Sequence, residues 1–260
     1  MYRLEREDFV QARYMVLWSV LGFQAGFINA FGFLACGRYV SHVTGFGTQV
    51  GLALGEQKLL FAFELLGFPV FFVLGSFLSS LLTSVRIEQG KRPYYDAVTI
   101  FLPLAILILL VLGQQGLFGV FGEQLIFARD FVLLYSLSMI CGAQNGCFAT
   151  MTKGQIRTTH LTGISTDIGT DLARVWFGKL EGRELELTRR TNFNRILTFA
   201  SFALGSVASI FMAPTLEYSA LIAPLVTSTL VALGIRSVGV ELDRRFEKSI
   251  AARSQELPVA

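Results

Sequence analysis

Charged side chains are scarce in this chain, at 16% of its 260 residues, whereas 53% are apolar and 24 are phenylalanine. A water-soluble domain carries about 25% charged residues, so this composition cannot wet the surface of one. An ordinary soluble enzyme is thereby excluded. Histidine is scarcer still, with only His42 and His160, and the cysteines Cys36, Cys141 and Cys147 lie in or beside apolar runs. An odd set of cysteines argues against a disulfide framework. Two histidines on opposite sides of a membrane, with no Cys-x-x-Cys and no P-loop, leave no zinc cluster or nucleotide cradle to assemble. No metal, no cofactor and no enzymatic activity are expected.

What is present is apolar length. Six stretches, 14–36, 59–83, 97–113, 131–149, 196–213 and 218–235, hold a single charged residue, Glu64. Their lengths match the roughly 20 residues a helix needs to cross a hydrocarbon core of about 30 Å. No segment alternates in polarity as a barrel strand would. The first stretch is too long for a signal-peptide core and is expected to remain as a span. Of the 22 Lys and Arg, 19 fall in the amino-terminal segment, the second and fourth connections and the tail, leaving Arg38, Lys58 and Arg129 in the first and third. This bias predicts a multi-pass protein of a bacterial-type inner (plasma) membrane with both termini cytoplasmic. The expected partners are the lipid bilayer and a small-molecule solute; the basic residues need no nucleic acid to explain them, and the sequence does not set an oligomeric state.

The chain also repeats itself. Gly26-Phe27-Ile28-Asn29 is echoed by Gly142-Ala143-Gln144-Asn145, and Ser41-His42-Val43-Thr44-Gly45 by Thr159-His160-Leu161-Thr162-Gly163. Further along, Phe72-Val73-Leu74-Gly75-Ser76 matches Phe202-Ala203-Leu204-Gly205-Ser206, and Pro103-Leu104 with Leu112-Gly113 matches Pro224-Leu225 with Leu233-Gly234. Four pairs in the same order divide the chain into residues 1–122 and 123–260, each with three spans. Because three is odd, the second half enters the membrane from the opposite side. The expected fold is therefore all-α: a polytopic membrane protein of six transmembrane helices, built as two inverted three-helix repeats, each with a short extra helix after a His-x-Thr-Gly motif. Inverted repeats are the geometric basis of alternating access.

At these residues the chain resembles the YoaK-type family of bacterial multi-pass membrane proteins, a domain of unknown function. Gly-x-x-Asn followed by Ser-His-Val-Thr-Gly, then Gly-Ala-Gln-Asn and Arg157-Thr158-Thr159-His160-Leu161-Thr162-Gly163 with Thr166-Asp167 carry the resemblance. It implies an integral inner-membrane protein and supplies no substrate. One departure is Phe46-Gly47, where the family pattern has a Thr-Gly-Asn run, so no polar role is carried over there.

Candidate site residues follow from these motifs. The run Val43 to Gly55 is too short to span and suits a re-entrant half-helix, whose unpaired first-turn amides favour an anionic or carbonyl group. Ser41 and Thr44 equally suit caps of an interfacial helix with His42 at headgroup level. In the second copy Asp167, Asp171 and Arg174 fall on one helical face. Inside the protein the carboxylates suit ion coupling; on the surface they form a solvated stripe. Asn29 and Asn145 lie within apolar spans and need partners. The expected substrate-binding set is Asn29, His42, Thr44, Asn145, His160 and Thr162, with Asp167 and Asp171 for ion coupling. The expected function is secondary transport of a small polar or anionic solute. The alternatives are a non-transporting structural or sensory membrane protein, or an intramembrane hydrolase using His160, Asp167 and Asp171.

Overall fold

A computed structural model describes residues 2–123, 128–155 and 158–256. Arg157 of the second motif lies outside them. Every regular element among the described residues is helical: α1 (Arg6–Phe9), α2 (Ala12–Cys36), α3 (Val43–Gly55), α4 (Leu59–Leu82), α5 (Ser84–Glu88), α6 (Tyr95–Gln114), α7 (Ala128–Met151), α8 (Leu161–Phe177), α9 (Gly182–Leu216) and α10 (Ile222–Glu256), with a 3-10 turn at Glu217–Leu221. Five helical stretches are long and apolar enough to cross a membrane: Ala12–Cys36, Leu59–Glu88, Tyr95–Gln114, Arg129–Met151 and Gly182–Glu247. The last contains both of the final two apolar runs of the sequence. The 3-10 turn interrupts it, and the two sides run in opposite directions along α2. Thr198 and Phe202 lie against Gly22 and Gly26, whereas Thr227 and Gly234 meet Gln24 and Leu17.

The helices turn apolar side chains outward as well as inward. Leu60, Phe63 and Phe77 of α4 and Leu204 and Phe211 of α9 are all more than half exposed. An apolar surface this extensive suits lipid rather than water, and with lipid outside, the helices gain little by hiding Leu and Phe from their surroundings. Close backbone approach decides the packing instead. A Cβ at Gly26 of α2 would land on the Phe202 carbonyl of α9, and one at Gly205 of α9 on the Phe23 carbonyl of α2. The α4–α7 crossing is built the same way, with Gly142 against the Phe72 carbonyl and Gly75 against the Met139 carbonyl. Both pairs run parallel. Each joins a helix of one half of the chain to a helix of the other, at the positions the sequence repeats.

Proline placement follows the same economy of backbone bonds. Pro69 in α4 removes the amide that would bond the Leu65 carbonyl; to either side of that carbonyl, the Glu64 carbonyl accepts from the Tyr135 hydroxyl and the Phe68 carbonyl from Ser138 Oγ at 2.9 Å, both donors on α7. Pro224 falls in the first turn of α10, where no intrahelical donor is needed, so it starts that helix and does not interrupt a span.

The amino-terminal segment straps one end of the bundle. Tyr2, Leu4, Phe9 and Val10 are buried, and the Leu4 amide donates to the Met151 carbonyl at 2.8 Å. Tyr95 donates its hydroxyl to the Tyr2 carbonyl at 2.9 Å, and Tyr2 stacks on Phe246 with ring centres 4.4 Å apart. Asp8 is buried against Arg245 of α10, at 2.7 and 2.8 Å. Burial pushes its carboxyl up, but the Arg245 guanidinium and the Glu5 amide pull it down further, leaving it below the ordinary aspartate value. The start of the chain and the later turns of α10 thus share one end, here termed the near end. Opposite, at the far end, the Gly122 amide donates to the Ala35 carbonyl at the close of α2.

Candidate functional site

The two His-x-Thr-Gly segments are positioned by the two asparagines. Asn29 Oδ1 accepts from the Ser41 amide at 3.1 Å and from Ser41 Oγ at 2.9 Å. Asn145 Nδ2 donates to Thr159 Oγ1 at 2.9 Å and to the Cys141 carbonyl of its own helix at 2.8 Å. Each amide therefore bonds the residue just before the histidine of its own half; the two do not bond each other. Asn29 lies seven residues before the end of α2 and Asn145 six before the end of α7, so each segment returns about 10 Å into the bundle before its short helix begins. One returns from the far end and the other from the near end.

From these inner starts the short helices run outward again. α3 packs against α4 and α8 against α9. His42 and His160 are the N-cap residues of α3 and α8, and both are exposed. The His42 ring folds over Gly45, where any Cβ would press on it, and lies edge-on to Tyr39 with ring centres 6.1 Å apart. His160 stacks on Phe72 of α4 at 6.3 Å. Thr44 and Thr162 are exposed beside them. A Cβ at Gly47, Gly51, Gly163 or Gly169 would meet open space. With Thr48, Thr166 and Thr170, also exposed, these glycines give both short helices an uncovered face of hydroxyls and bare backbone.

The inner faces of the two short helices differ. On α3, Phe46 is buried and stacks on Phe68 with ring centres 4.1 Å apart, so the residue that departs from the family pattern is a packing contact. On α8, Asp171 is buried and pairs with Arg195 of α9 at 2.5 Å and with Arg174 at 3.0 Å. Asp167 reaches the same Arg195 at 3.2 Å while remaining half in solvent. The acidic stripe is thus neither a free solvated face nor an unpaired interior charge; it is an ionic clamp between α8 and α9.

A buried polar chain crosses the middle of the bundle. Gln24 Nε2 donates to Gln144 Oε1 at 3.0 Å, and Gln144 Nε2 donates to Thr158 Oγ1 at 2.9 Å. Thr227 Oγ1 of α10 donates to Gln24 Oε1 at 3.4 Å. In the sequence Gln144 stands out only as part of its Gly-Ala-Gln-Asn motif, and Gln24 belongs to none of the motifs. The available signal was an amide in the middle of an apolar span, the same signal that singled out the asparagines.

Cavities open on the surface among the described residues. One of about 300 Å³ lies at the near end between the start of α6 and α10, one of about 190 Å³ among α4, α6 and α7, and one of about 410 Å³ between α8 and α9. None of the three is lined by His42, Thr44, His160 or Thr162, so the structure does not bring the two motif segments to a single one of these cavities. Among the described residues no group of three or more His, Cys, Asp and Glu is placed to hold a metal ion.

No curated protein and no solved structure matches the chain significantly. A family model described as "Protein of unknown function (DUF1275)" matches residues 17–234, which takes in both asparagines, both His-x-Thr-Gly segments and both glycine crossings. The chain belongs to this family, the same YoaK-type group its motifs resemble.

Proposed function

We propose that this protein is a secondary transporter of a small polar or anionic solute, working by alternating access between two inverted three-helix halves. In this reading α2, α4, α6, α7, α9 and α10 each cross a bacterial-type inner membrane, both termini are cytoplasmic, and α3 and α8 are re-entrant. The observation that carries it is the paired inner starts. Two short helices begin about 10 Å inside the bundle from opposite ends, each tethered by an asparagine, with a histidine, a threonine and an uncovered Gly/Thr face beside the start. Helix starts that point inward offer partly positive amides to an anionic group.

The two halves have unequal latches, so a change of charge biases one of them and not the other. α3 is held to α4 by the Phe46–Phe68 stack, which is indifferent to protons, whereas α8 is held to α9 by Asp171 and Arg195. Loss of the Asp171 charge, with Asp167 sharing Arg195, would open the ionic latch alone. Breaking a buried ion pair costs about 3–5 kcal/mol, comparable to the roughly 5.5 kcal/mol that inverts a two-state population from 1:99 to 99:1. A non-transporting structural role draws on one observation, the closed Gln24–Gln144 contact in the centre. Proteoliposomes loaded with a metabolite panel under an imposed proton gradient separate the two. Solute uptake that collapses in the His42→Ala, His160→Ala and Asp171→Asn proteins supports transport; no uptake of any solute across the panel supports the structural role.

A further inference from the structure

We propose that the near-end cavity between α6 and α10 is a binding site for a phospholipid headgroup carrying both a phosphodiester and a primary ammonium. The cavity is about 300 Å³ and is lined by Tyr2, Arg92, Asp96, Arg236, Gly239 and Asp243 among others. Arg92 is already committed: it pairs with Asp243 at 3.0 Å, and its carbonyl accepts from Arg86 Nε at 2.7 Å, which fixes the cavity wall. Two opposite charges remain in the lining. Among the described residues neither Arg236, which is exposed, nor Asp96, which is half-buried, has an ion-pair partner. One spare cation and one spare carboxylate match a zwitterion, whereas a purely anionic headgroup would leave Asp96 opposed by a like charge.

The surroundings point to the bilayer as the source. Arg236 is the first charge after the apolar run of α10, at the depth where a membrane changes from chains to headgroups. From the cavity toward the far end, Ile100 and Leu104 of α6 and Leu230 and Leu233 of α10 are each more than half exposed, an apolar wall along which acyl chains can lie. Gly239 has no side chain to fill the opening, and a Cβ there would approach only Arg92 Nη2, at 4.0 Å. In this site the Arg236 guanidinium holds the phosphodiester and the Asp96 carboxylate accepts from the ammonium.

Native mass spectrometry of the full chain in detergent tests the assignment, with phosphatidylethanolamine, phosphatidylcholine, phosphatidylglycerol and water-soluble glycerophosphoethanolamine titrated in turn. Phosphatidylethanolamine is expected to bind about tenfold more tightly than phosphatidylcholine, whose methylated ammonium cannot donate to Asp96. Asp96→Asn is expected to erase that preference and Arg236→Gln to weaken both lipids by about tenfold, with Arg236→Lys partly restoring them. Arg236 is exposed and Asp96 is half-buried, and neither loses an ion pair with a described residue, so the lipid-free melting temperature is expected to hold. Equal binding of the two lipids by the unaltered protein, tighter binding of phosphatidylglycerol, or variants that leave the preference intact would overturn the zwitterion site. Glycerophosphoethanolamine binding as tightly as the lipid would overturn the membrane source.

Discussion

Asn29 and Asn145 act on the chain that follows them more than on the helices that carry them. Asn29→Ala removes both bonds to Ser41, and Asn145→Ala removes both bonds to Thr159. A side-chain hydrogen bond within a membrane is worth about 0.6 kcal/mol, so neither change is expected to prevent folding. Hydrogen exchange should instead accelerate over residues 40–46 in the first variant and 158–164 in the second, with solute uptake falling several-fold. Exchange confined to its original rate at both segments contradicts the tether. These two residues were legible in the sequence because an amide in an apolar span demands a partner. Their partner was not legible, since the chain reversal that brings Ser41 back to Asn29 depends on Gly37, held at φ 73°, and not on any periodicity. Asp171 carried the opposite ambiguity: its face was readable, but only the neighbour Arg195, 24 residues on, distinguishes a clamp from a solvated stripe.

The glycine crossings and the two latches are properties of whole helices. Gly26→Val and Gly142→Val would each drive a side chain into a carbonyl of the facing helix, so each is expected to destabilise by about 2–3 kcal/mol and lower the melting temperature in detergent. Gly47→Val, whose site faces open space, is the control and should melt as the unaltered protein does. Equal melting of all three proteins would contradict packing by backbone approach. Asp171→Asn should loosen α8, read as faster hydrogen exchange over Leu161–Phe177 with α3 unchanged, whereas Phe46→Ala should loosen α3 alone. The lengths of α2, α4, α6 and α7 were readable from apolar runs. Those of α9 and α10 were not, because α9 begins in the polar residues before Asn194, supported by the Glu186–Arg190 pair at 2.5 Å, and α10 continues past Arg236, supported by the Glu241–Arg245 pair, whereas an apolar run stops where charge begins.

Across the molecule, the amino-terminal segment is joined to the later turns of α10 at the near end, and that junction responds to acid. Asp8 is held below its ordinary value, so its pairing with Arg245 contributes stability above the unfolded aspartate value near 4 and loses it as the pH falls through the lower folded value. Proteolytic release of the amino-terminal segment in detergent should therefore rise below about pH 4, and Asp8→Asn should release it at neutral pH as well. A release rate flat from pH 7 to 3 contradicts the strap. No sequence signal announced it: α1 has four residues, too few to show a period, and its anchors Met151, Asn194 and Arg245 are remote in the chain. The echoed motifs, in contrast, were visible in the sequence, and their glycines make close crossings, Gly26 and Gly205 between α2 and α9 and Gly142 and Gly75 between α4 and α7.

The claim on which the transport reading stands is that the two halves face opposite sides of the membrane. Cysteine labelling in intact cells addresses it directly, with Cys36, Cys141 and Cys147, all buried, replaced by alanine and single cysteines placed at Thr44 and Thr162. A membrane-impermeant thiol reagent is expected to label position 44 from outside, and position 162 only after the cytoplasmic face is opened. Labelling of both positions from the same side would contradict inverted repeats, and with them alternating access.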